Sequence, residues 1–547
     1  MAQSGHIDTF AADHLPPCAL WPELRFTLPE LNYPERLNCV TELLDAQIAA
    51  GRGAQPCLIG ETGEMFSYTD VFTRVNRIAN VLTGELGLLP GNRVLLRSAN
   101  NPMMAMVYLA VLKAGGVAVA TMPMLRAREL TYIVRKAEIS LALCDQRLGE
   151  ELRLTRQAAP QLKRIVYFSS SESDSLEARL AHASAEFTAC DTAAEDVCLI
   201  AFTSGTTGEP KGTMHFHRDM LAICDTFGKH ILRAQASDRF IGSPPLAFTF
   251  GLGGLVLFPL RIGASAVLLE KASPDALLQA FNRYGATVCF TAPTAYRAML
   301  AKHQAADTQG LRLCVSAGEA LPKATYEAWE NATGIRLIDG LGATEMLHVF
   351  VSARPEEIRP GATGRAIPGF EAKVLADDGS EMPRGQPGFL AVRGPTGCRY
   401  LADSRQSVYV RHGWNYTGDT YIMDADGYLW YQARSDDMII SAGYNIAGPE
   451  VEASLLTHAA VQECGVVGVP DDERGMIVKA YVVLKPGFAP GDGLTRELQD
   501  YVKRDIAPYK YPRAIEYTET LPRTETGKLQ RFQLRATAAT AQAESRS

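Results

Sequence analysis

Short apolar runs alternate with longer runs of helical periodicity along much of the chain. Between about residues 60 and 395, the strand-like "NRVLLRSAN" precedes the helix-like "PMMAMVYLAVLKAGG", which leads into "VAVATM". The same order returns in "ATVCFTA", "PTAYRAMLAKH" and "LRLCVSAG", and then in "KATYEAWENATG" and "IRLIDGLG". This alternation predicts an α/β fold, in which mostly parallel sheets are flanked by helices.

The pattern changes twice towards the C-terminus. Residues 370–431 are rich in turns and short alternating strands, which predicts a small antiparallel or barrel-like subdomain. Beyond Arg434, "GPEVEASLLTHAAV" and "TRELQDYVKRDIA" have helical patterns, and "VQECGVVGVPD" and "IVKAYVVLKPG" have strand patterns. We therefore expect a small α+β domain of roughly 110 residues after the large one. The tail "ATAATAQAESRS" is expected to be frayed.

Length and composition limit the classes of function. A chain of 547 residues exceeds what one hydrophobic core holds, so at least two domains are expected. The net charge is −7 and the basic residues are scattered, which argues against a nucleic-acid-binding surface. The 11 cysteines lie far apart without a C-x-x-C pair, as is typical of free thiols in a reducing compartment.

The sequence pattern argues against export and membrane insertion. The N-terminal "MAQSGHIDTFAADHLPP" lacks the charged and apolar regions of a signal peptide. Two apolar stretches are interrupted, one by Lys113 and a Gly-Gly pair, the other by Pro259 and Arg261. We therefore expect a cytoplasmic protein that binds neither nucleic acid nor membrane. Its oligomeric state is left open, a homodimer included.

The segment "TSGTTGEPKG", Thr203 to Gly212, has the composition of a phosphate-binding loop. Its glycines allow the backbone to approach a ligand closely, while its hydroxyl groups and Lys211 can contact phosphate oxygens. It is not a P-loop, because Gly205 and Gly208 are only three residues apart and Lys211 stands behind a proline. A solvated surface turn is the alternative, but the strand-like "EDVCLIAFT" before the loop favours a nucleotide site.

Four further polar segments carry side chains capable of chemistry. "SAGEALP" and "DGLGATE" follow predicted strands, and the second offers the Thr344 hydroxyl and the Glu345 carboxylate, a ligand that Mg²⁺ accepts. "WNYTGDTYIMDADGYLWYQARSDD" offers Asp419 and Arg434 to ribose hydroxyls, and "LPRTETGKLQR" places Lys528 in a glycine-flanked turn. Each of these residues alone is compatible with an ordinary solvated or ion-paired role.

Taken in order, these segments together with "RSDDMIISAGYNI" resemble the adenylate-forming superfamily of acyl- and aryl-CoA synthetases, adenylation domains and luciferases. The resemblance covers nearly the whole chain. Within the superfamily, "DHLPP", "WPEL", "LNYPERLNCVTELLD" and "GLGATEMLHVF" are most similar to benzoate-type aryl-CoA ligases, above all 2-aminobenzoate–CoA ligases.

The resemblance implies an enzyme that uses ATP and Mg²⁺ to turn an aromatic carboxylic acid into an acyl-adenylate. CoA, the co-substrate, then receives the acyl group. Three alternatives remain open. They are loading of an aryl acid onto a carrier protein, a CoA ligase for a fatty or hydroxyaryl acid, and a nucleotide-binding regulator without turnover.

The resemblance also implies a role for each residue of the nucleotide site. The glycine-rich loop is expected to hold the β- and γ-phosphates through Thr203, Ser204, Gly205, Thr206, Thr207, Gly208 and Lys211. Thr344 is expected to donate to the α-phosphate, and Glu345 to hold Mg²⁺. The adenine is expected to lie along Gly318, Glu319, Ala320, Asp339, Gly340, Leu341 and Gly342. Asp339 would accept from the adenine amino group, and Leu341 takes the place of a stacking tyrosine.

The ribose is expected at Asp419 and Arg434, and the substrate carboxylate and α-phosphate at Lys528. The resemblance further implies that the small domain swings between the two half-reactions, with Asp436 at the pivot. Gly443 and Tyr444 would then line the tunnel for the pantetheine arm of CoA. The implied divisions are a large ATP- and acid-binding domain, a hinge and a small mobile domain, at residues 1–433, 434–437 and 438–547.

The stretch "PPLAFTFGLGG" is the candidate for the acid pocket. Amino-acid-activating adenylation domains usually carry an aspartate there, whereas this stretch has no acidic residue. Phe248, Thr249 and Phe250, together with His348, would give a flat and mostly apolar slot with a polar edge, suited to a planar aromatic acid. Ordinary core aromatics with a satisfied histidine are the alternative.

Overall fold

The computed structural model describes residues 3–203, 210–304, 307–434, 437–441, 444–471, 474–506, 508–523 and 529–546. Within these ranges only the backbone is described for residues 440, 444, 445, 475 and 541–546.

The helices of the described chain are α1 (Phe10–Asp13), α2 (Ala46–Ala49), α3 (Tyr68–Asn80), α4 (Pro102–Lys113), α5 (Ala127–Lys136), α6 (Gly149–Ala158), α7 (Leu176–Leu180), α8 (His217–Ile223), α9 (Thr249–Leu252), α10 (Phe258–Ile262), α11 (Pro274–Tyr284), α12 (Pro293–Leu300), α13 (Lys323–Thr333), α14 (Gln406–Tyr409), α15 (Gly448–Leu456), α16 (Asp492–Asp505) and α17 (Arg531–Arg546).

The strands are β1 (Pro56–Gly60), β2 (Met65–Ser67), β3 (Arg93–Arg97), β4 (Val117–Thr121), β5 (Leu141–Asp145), β6 (Arg164–Phe168), β7 (Val197–Thr203), β8 (Lys211–Phe216), β9 (Arg239–Gly242), β10 (Ser265–Leu268), β11 (Val288–Thr291), β12 (Leu313–Ala317), β13 (Leu337–Gly342), β14 (Val349–Ser352), β15 (Arg365–Ala366), β16 (Glu371–Leu375), β17 (Pro387–Arg393), β18 (Val410–Arg411), β19 (Trp414–Met423), β20 (Leu429–Arg434), β21 (Ile439–Ser441), β22 (Tyr444–Ile446), β23 (Val461–Asp471), β24 (Gly475–Leu484) and β25 (Ala514–Tyr517).

Two large sheets form the body of the molecule. One has the order β6-β5-β3-β4-β7-β8, and the other has the order β15-β14-β13-β12-β11-β9-β10-β1-β2. Their central pairs are parallel. The antiparallel pairs lie at the edges, and they are β7–β8, β1–β2, β13–β14 and β14–β15. The predicted α/β fold with mostly parallel sheets is thereby confirmed.

The main hydrophobic core lies between these sheets and is centred on α4. Asn101 caps this helix by accepting a hydrogen bond from the Met104 backbone N–H (2.9 Å), and Pro102 occupies its first turn. Eleven of its 12 residues are buried, including Lys113, whose Nζ lies 2.8 Å from Asp45 Oδ1. The apolar stretch that contains Lys113 is therefore a core helix. Among the described residues, none of the helices is long and apolar enough to cross a membrane.

Side chains on the two faces of a strand pack into different hydrophobic cores. Val94 and Leu96 of β3 face the main core, whereas Leu95 packs with Ile133 of α5 on the outer face of the sheet. A third core, beneath α11, α12 and α13, covers the outer face of the other sheet. Both faces of each sheet are thus buried, which explains the near-continuous apolar runs of the strands.

A five-stranded antiparallel sheet spans residues 371–434. In it β19 pairs with β17, β18 and β20, and β17 also pairs with β16. The register of β19 and β20 places Asp419 directly opposite Arg434. The short alternating strands expected for residues 370–431 therefore pair as an antiparallel sheet.

The small C-terminal unit is built on β23 and β24, which pair antiparallel, with β25 parallel to β24. Helix α17 packs against β23 and covers the region where we expected a frayed tail. The expectation was wrong for the start of this tail, because Ala538 continues the helix and is buried with Leu534 and Tyr481 in one apolar cluster. An alanine-rich segment also has high helix propensity.

Candidate functional site

Several predicted site residues lie outside the described residues. They are Ser204, Gly205, Thr206, Thr207 and Gly208 of the glycine-rich loop, Asp436 of the predicted hinge, Gly443 of the predicted tunnel, and Lys528. Of Tyr444 only the backbone is described, as the first residue of β22. Their roles stay predictions.

The two ends of the glycine-rich loop lie side by side. Thr203 ends β7 and Lys211 begins β8, and the two residues are paired across an antiparallel ladder. The loop therefore joins neighbouring strands, whereas the phosphate loops of other α/β folds lead from a strand into a helix. The Oγ1 of Thr203 is buried and has no hydrogen-bonding partner among the described residues. Its predicted role towards a phosphate stays a prediction.

Lys211 and Glu345, expected at the phosphates and at Mg²⁺, meet around the hydroxyl of Tyr400. Lys211 Nζ lies 2.7 Å from Tyr400 Oη and 3.3 Å from Glu345 Oε1, and the Tyr400 hydroxyl donates to Glu345 Oε1 (2.5 Å). Burial and the Glu345 charge raise the pKa of Tyr400 far above its usual range, so the phenol stays protonated. The sequence analysis missed Tyr400, since it lies 55 residues after Glu345 in an unremarkable segment.

The donor set around Glu345 fits Mg²⁺. A carboxylate, the Thr344 hydroxyl and nearby phosphates would provide the oxygen ligands that this ion prefers. By contrast, Cys39, Cys198 and His217 form a buried group whose ligand atoms lie within 4.8 Å of one another. Its sulfur and nitrogen atoms suit softer ions, and His217 Nδ1 already accepts from the Cys39 backbone N–H (3.2 Å).

Thr344 and Glu345 lie in a short 3₁₀ turn, Thr344–Met346, that follows β13. Leu347 ends the turn with φ of +70°, which is rare for a residue that has a Cβ atom. This reversal directs the chain into β14 immediately after His348. Only Leu347 therefore separates the turn that carries Thr344 and Glu345 from His348 of the predicted acid pocket.

The predicted adenine segments meet at the carboxyl ends of β12 and β13, where Ser316 pairs with Asp339. Gly318 has φ of +96°, and it is exposed together with Ala320. Glu319 accepts a hydrogen bond from Thr294 Oγ1 (2.8 Å). This edge is where ligands bind in open parallel sheets.

The end of β13 lies close to β14. A Cβ at Gly340 would lie 2.8 Å from Val349 Cγ2, and one at Gly342 would lie 2.9 Å from the His348 carbonyl oxygen. Leu341 pairs with Val351 and packs against the main core. The glycines are therefore needed for strand packing, whatever their role towards a ligand.

Burial raises the pKa of Asp339 to about 8, and the Gly340 backbone N–H offsets this effect only in part. At neutral pH the carboxyl is therefore largely protonated. In that form it offers one oxygen that accepts and one O–H that donates. It can still accept from an adenine amino group, as expected from the sequence.

Asp419 and Arg434 lie together, as their predicted common role at the ribose requires. Arg434 Nη1 donates to Asp419 Oδ1 (3.2 Å) and to the Thr417 carbonyl (3.1 Å). Gly418, with φ of +76°, makes this approach possible, because a Cβ there would lie 2.9 Å from Arg434 Nη2. The carboxyl is buried and the guanidinium is about half exposed.

Of the residues predicted for the acid pocket, the structure brings Phe250 and His348 together, with ring centroids 5.6 Å apart. Thr249 is buried in the first turn of α9, and Phe248 is the residue that precedes this helix. The structure gives no ring contact between Phe248 and His348. The sequence analysis missed Phe258, whose ring lies edge-on to His348 at 4.6 Å.

Two further aromatic rings complete this cluster, Phe227 at 5.5 Å from His348 and Phe290 at 5.6 Å from Phe250. They come from separate elements, so no local sequence pattern unites them. Burial lowers the pKa of His348 to about 3, which keeps the imidazole neutral. Neither of its ring nitrogens has a hydrogen-bonding partner of normal geometry within the described residues.

The small C-terminal unit contacts the predicted adenine edge. Arg523 Nη1 lies 3.7 Å from Glu319 Oε2, and its Nη2 donates to Glu463 Oε2 (3.0 Å). Glu463 also pairs with Arg297 of α12 (3.4 Å). Arg523, which precedes the segment carrying Lys528, therefore lies at the predicted adenine edge of the large body.

Comparisons with known proteins agree with this geometry. The AMP-binding enzyme model matches residues 45–400, and that of the AMP-binding enzyme C-terminal domain matches residues 450–528. The benzoate–CoA ligase of Thauera aromatica is 36% identical over 516 residues, which are 93% of this chain and 98% of the relative.

Solved structures of ligases are similar over most of the chain. The anthranilate CoA ligase AuaEII, in complex with anthranoyl-AMP, has a TM-score of 0.89 and 35% identity, covering 94% of this chain and 100% of that one. A benzoate CoA ligase from Burkholderia xenovorans LB400 has a TM-score of 0.84 and 32% identity, covering 91% and 100%.

The fold and the matches define an AMP-forming acid–CoA ligase. The chain belongs to the AMP-binding enzyme family, and the resemblance drawn from its motifs is confirmed.

Proposed function

We propose that this protein is an aryl-CoA ligase that activates benzoate or 2-aminobenzoate with ATP and then transfers the acyl group to CoA. The observation that carries the proposal is the cluster of Phe227, Phe250 and Phe258 around His348, beside the turn that bears Thr344. Aromatic side chains around a site favour a flat ring. The ligases similar to this chain, for benzoate and for anthranilate, support the same substrate class.

The reaction proceeds in two steps. The acid carboxylate attacks the α-phosphorus of ATP, the bond to the pyrophosphate leaving group breaks, and acyl-AMP forms. The CoA thiol then attacks the acyl carbon, loses its proton, and AMP leaves with the electrons of the broken C–O bond. The first step is needed because a carboxylate lacks a group that a thiol can expel.

The residues of this chain position the reactants and balance the charge. Thr344 donates to the α-phosphate, Lys211 and the loop from Thr203 bind the outer phosphates, and Lys528 approaches the carboxylate. Bound at Glu345, Mg²⁺ would neutralise phosphate charge. Lys211 now contacts Glu345, and it can turn to the phosphates once a cation takes its place there.

His348 gives a reason to include 2-aminobenzoate. A neutral imidazole has one nitrogen that accepts and one that donates, and here both are buried among aromatic rings. An amino group ortho to the carboxylate could donate to the accepting nitrogen. Benzoate would bind in the same slot without this bond.

The test is a panel of benzoate, 2-aminobenzoate, hydroxybenzoates and a medium-chain fatty acid, measured as CoA-dependent AMP release. We expect His348→Leu to lower kcat/KM for 2-aminobenzoate about tenfold, and that for benzoate less than about threefold. The matched variant His348→Gln keeps an amide that can accept, so it should retain more of the preference. A higher kcat/KM for the fatty acid would contradict the proposal, and free CoA failing as acceptor would favour a carrier protein.

A further inference from the structure

A buried histidine outside the predicted site contacts the turn that carries Thr344. His215 lies in β8, is 0% exposed, and its Nε2 lies 2.8 Å from the Thr344 carbonyl oxygen. Since a carbonyl oxygen only accepts, Nε2 must carry the hydrogen. The bond joins residues 129 positions apart and ties the strand after the glycine-rich loop to the turn.

A buried charged pair lies beside His215. Its Nδ1 lies 3.6 Å from Asp219 Oδ2, the same oxygen that accepts from Arg399 Nη2 (3.0 Å) and from the Phe216 backbone N–H (3.1 Å). The side chains of His215, Asp219 and Arg399 are fully buried. The guanidinium balances the carboxylate, and the carboxylate side of the pair faces the imidazole.

The geometry of β8 relates the contact between His215 and Thr344 to the predicted phosphate site. Side chains two residues apart point to the same face of a strand, so Lys211 and His215 share one face of β8. Lys211 contacts Glu345 at one end of this face, and His215 contacts Thr344 at the other. The strand β8 therefore carries Lys211 and contacts Thr344, the two residues that are expected at the phosphates.

We propose that His215 is a positioning residue for adenylation, which holds Thr344 at the α-phosphate through the Nε2–H to carbonyl bond. This inference rests on the proposed role of Thr344. Asp219 and Arg399 lie beside the imidazole on its Nδ1 side. His215 itself does not touch substrate.

The experiment measures ATP–pyrophosphate exchange with benzoate for a set of variants. His215→Leu, which has no donor, should slow exchange about 10- to 100-fold, with the KM for benzoate changed less than about threefold. His215→Gln places an amide N–H near the position of Nε2 and should recover exchange to within about fivefold of the parent. The shorter His215→Asn should not recover it, so the Gln and Asn variants decide the matter even if the Leu variant folds poorly.

A double-mutant cycle separates this inference from the function that it rests on. If Thr344→Ala slows the exchange, then adding His215→Leu to that variant should slow the exchange by less than about a further threefold. The hydroxyl that His215 positions is already absent from it. The positioning role alone would be overturned if the Gln, Asn and Leu variants lost exchange activity equally. It would also be overturned if the effects of the two substitutions on the exchange rate multiplied in the cycle. Full exchange in Thr344→Ala would overturn the role of Thr344 and with it the inference.

Discussion

At the scale of single residues, burial sets charges that the residue types do not suggest. Asp339 has its pKa raised to about 8, and His348 has its pKa lowered to about 3, so both are neutral near pH 7. A sequence names the ionisable group, but its charge depends on how much water the fold leaves around it. The ion pair of Asp419 and Arg434 differs from these two residues. The sequence already predicted that both partners lie at one site.

The raised pKa of Asp339 predicts how stability depends on pH. An unfolded Asp titrates near pH 4, so the folded state favours the protonated form, and this contribution is fully present below about pH 4 and lost as pH rises through about 8. Relative to Asp339→Asn, the parent should therefore lose stability as pH rises from 5 to 9, by at most about 1.4 kcal/mol per pH unit. Calorimetric Tm values of both proteins at pH 5, 7 and 9 test this. Parallel Tm curves would contradict it.

At the scale of elements, the helical segment from α9 to α10 packs against His348 of the proposed acid pocket. Gly253 lies between these helices, and a Cβ there would lie 2.3 Å from His348 Cδ2 and 2.7 Å from its Nε2. Phe258 packs edge-on against the same ring, so the imidazole has little room to move. The glycine therefore permits the approach of helix and histidine.

Gly253→Ala should displace the His348 ring and lower kcat/KM for the aromatic acid about tenfold or more, with the KM for ATP changed less than about twofold. Steady-state kinetics with each substrate varied measures both values. Gly84→Ala is the matched control, since a Cβ there meets no atom within 4 Å, and it should behave as the parent. An unchanged kcat/KM in Gly253→Ala would remove this segment from the pocket.

The sequence predicted elements better than their pairings. The strand Val197–Thr203 lies within the strand-like "EDVCLIAFT", and the helix Pro102–Lys113 lies within the helix-like "PMMAMVYLAVLKAGG". The antiparallel pairing of β7 with β8 did not, because a strand pattern carries no direction. The helix Arg531–Arg546 was missed because, among its described side chains, only Leu534 and Ala538 are buried.

At the scale of the whole molecule, the small unit lies against the predicted adenine edge through Arg523 and Glu319. This contact supports the proposal that the segment carrying Lys528 serves the first half-reaction. The hinge at residues 434–437 and the division at 433 and 438 remain proposals. These proposals assign the two half-reactions to two different positions of the small domain.

Lys528→Ala should slow adenylate formation about 100-fold or more, because the cation that follows the charge in that step is gone. Thioester formation from supplied benzoyl-AMP should stay within about threefold of the parent. Pyrophosphate release and CoA-dependent AMP release, measured separately, report the two steps. Lys485→Ala, an exposed lysine of the same unit, is the control. Equal loss of both steps would contradict a role confined to adenylation.

The sequence by itself determined the α/β class, the small C-terminal unit and the order of polar segments, because periodicity and motif spacing are local properties of a chain. Only the tertiary structure decided which distant groups meet, among them Tyr400 at Glu345 and His215 at Thr344. It also decided that His348 is neutral within a ring of aromatic side chains. Such contacts and charges arise from packing and loss of water, and both depend on residues far apart in the chain.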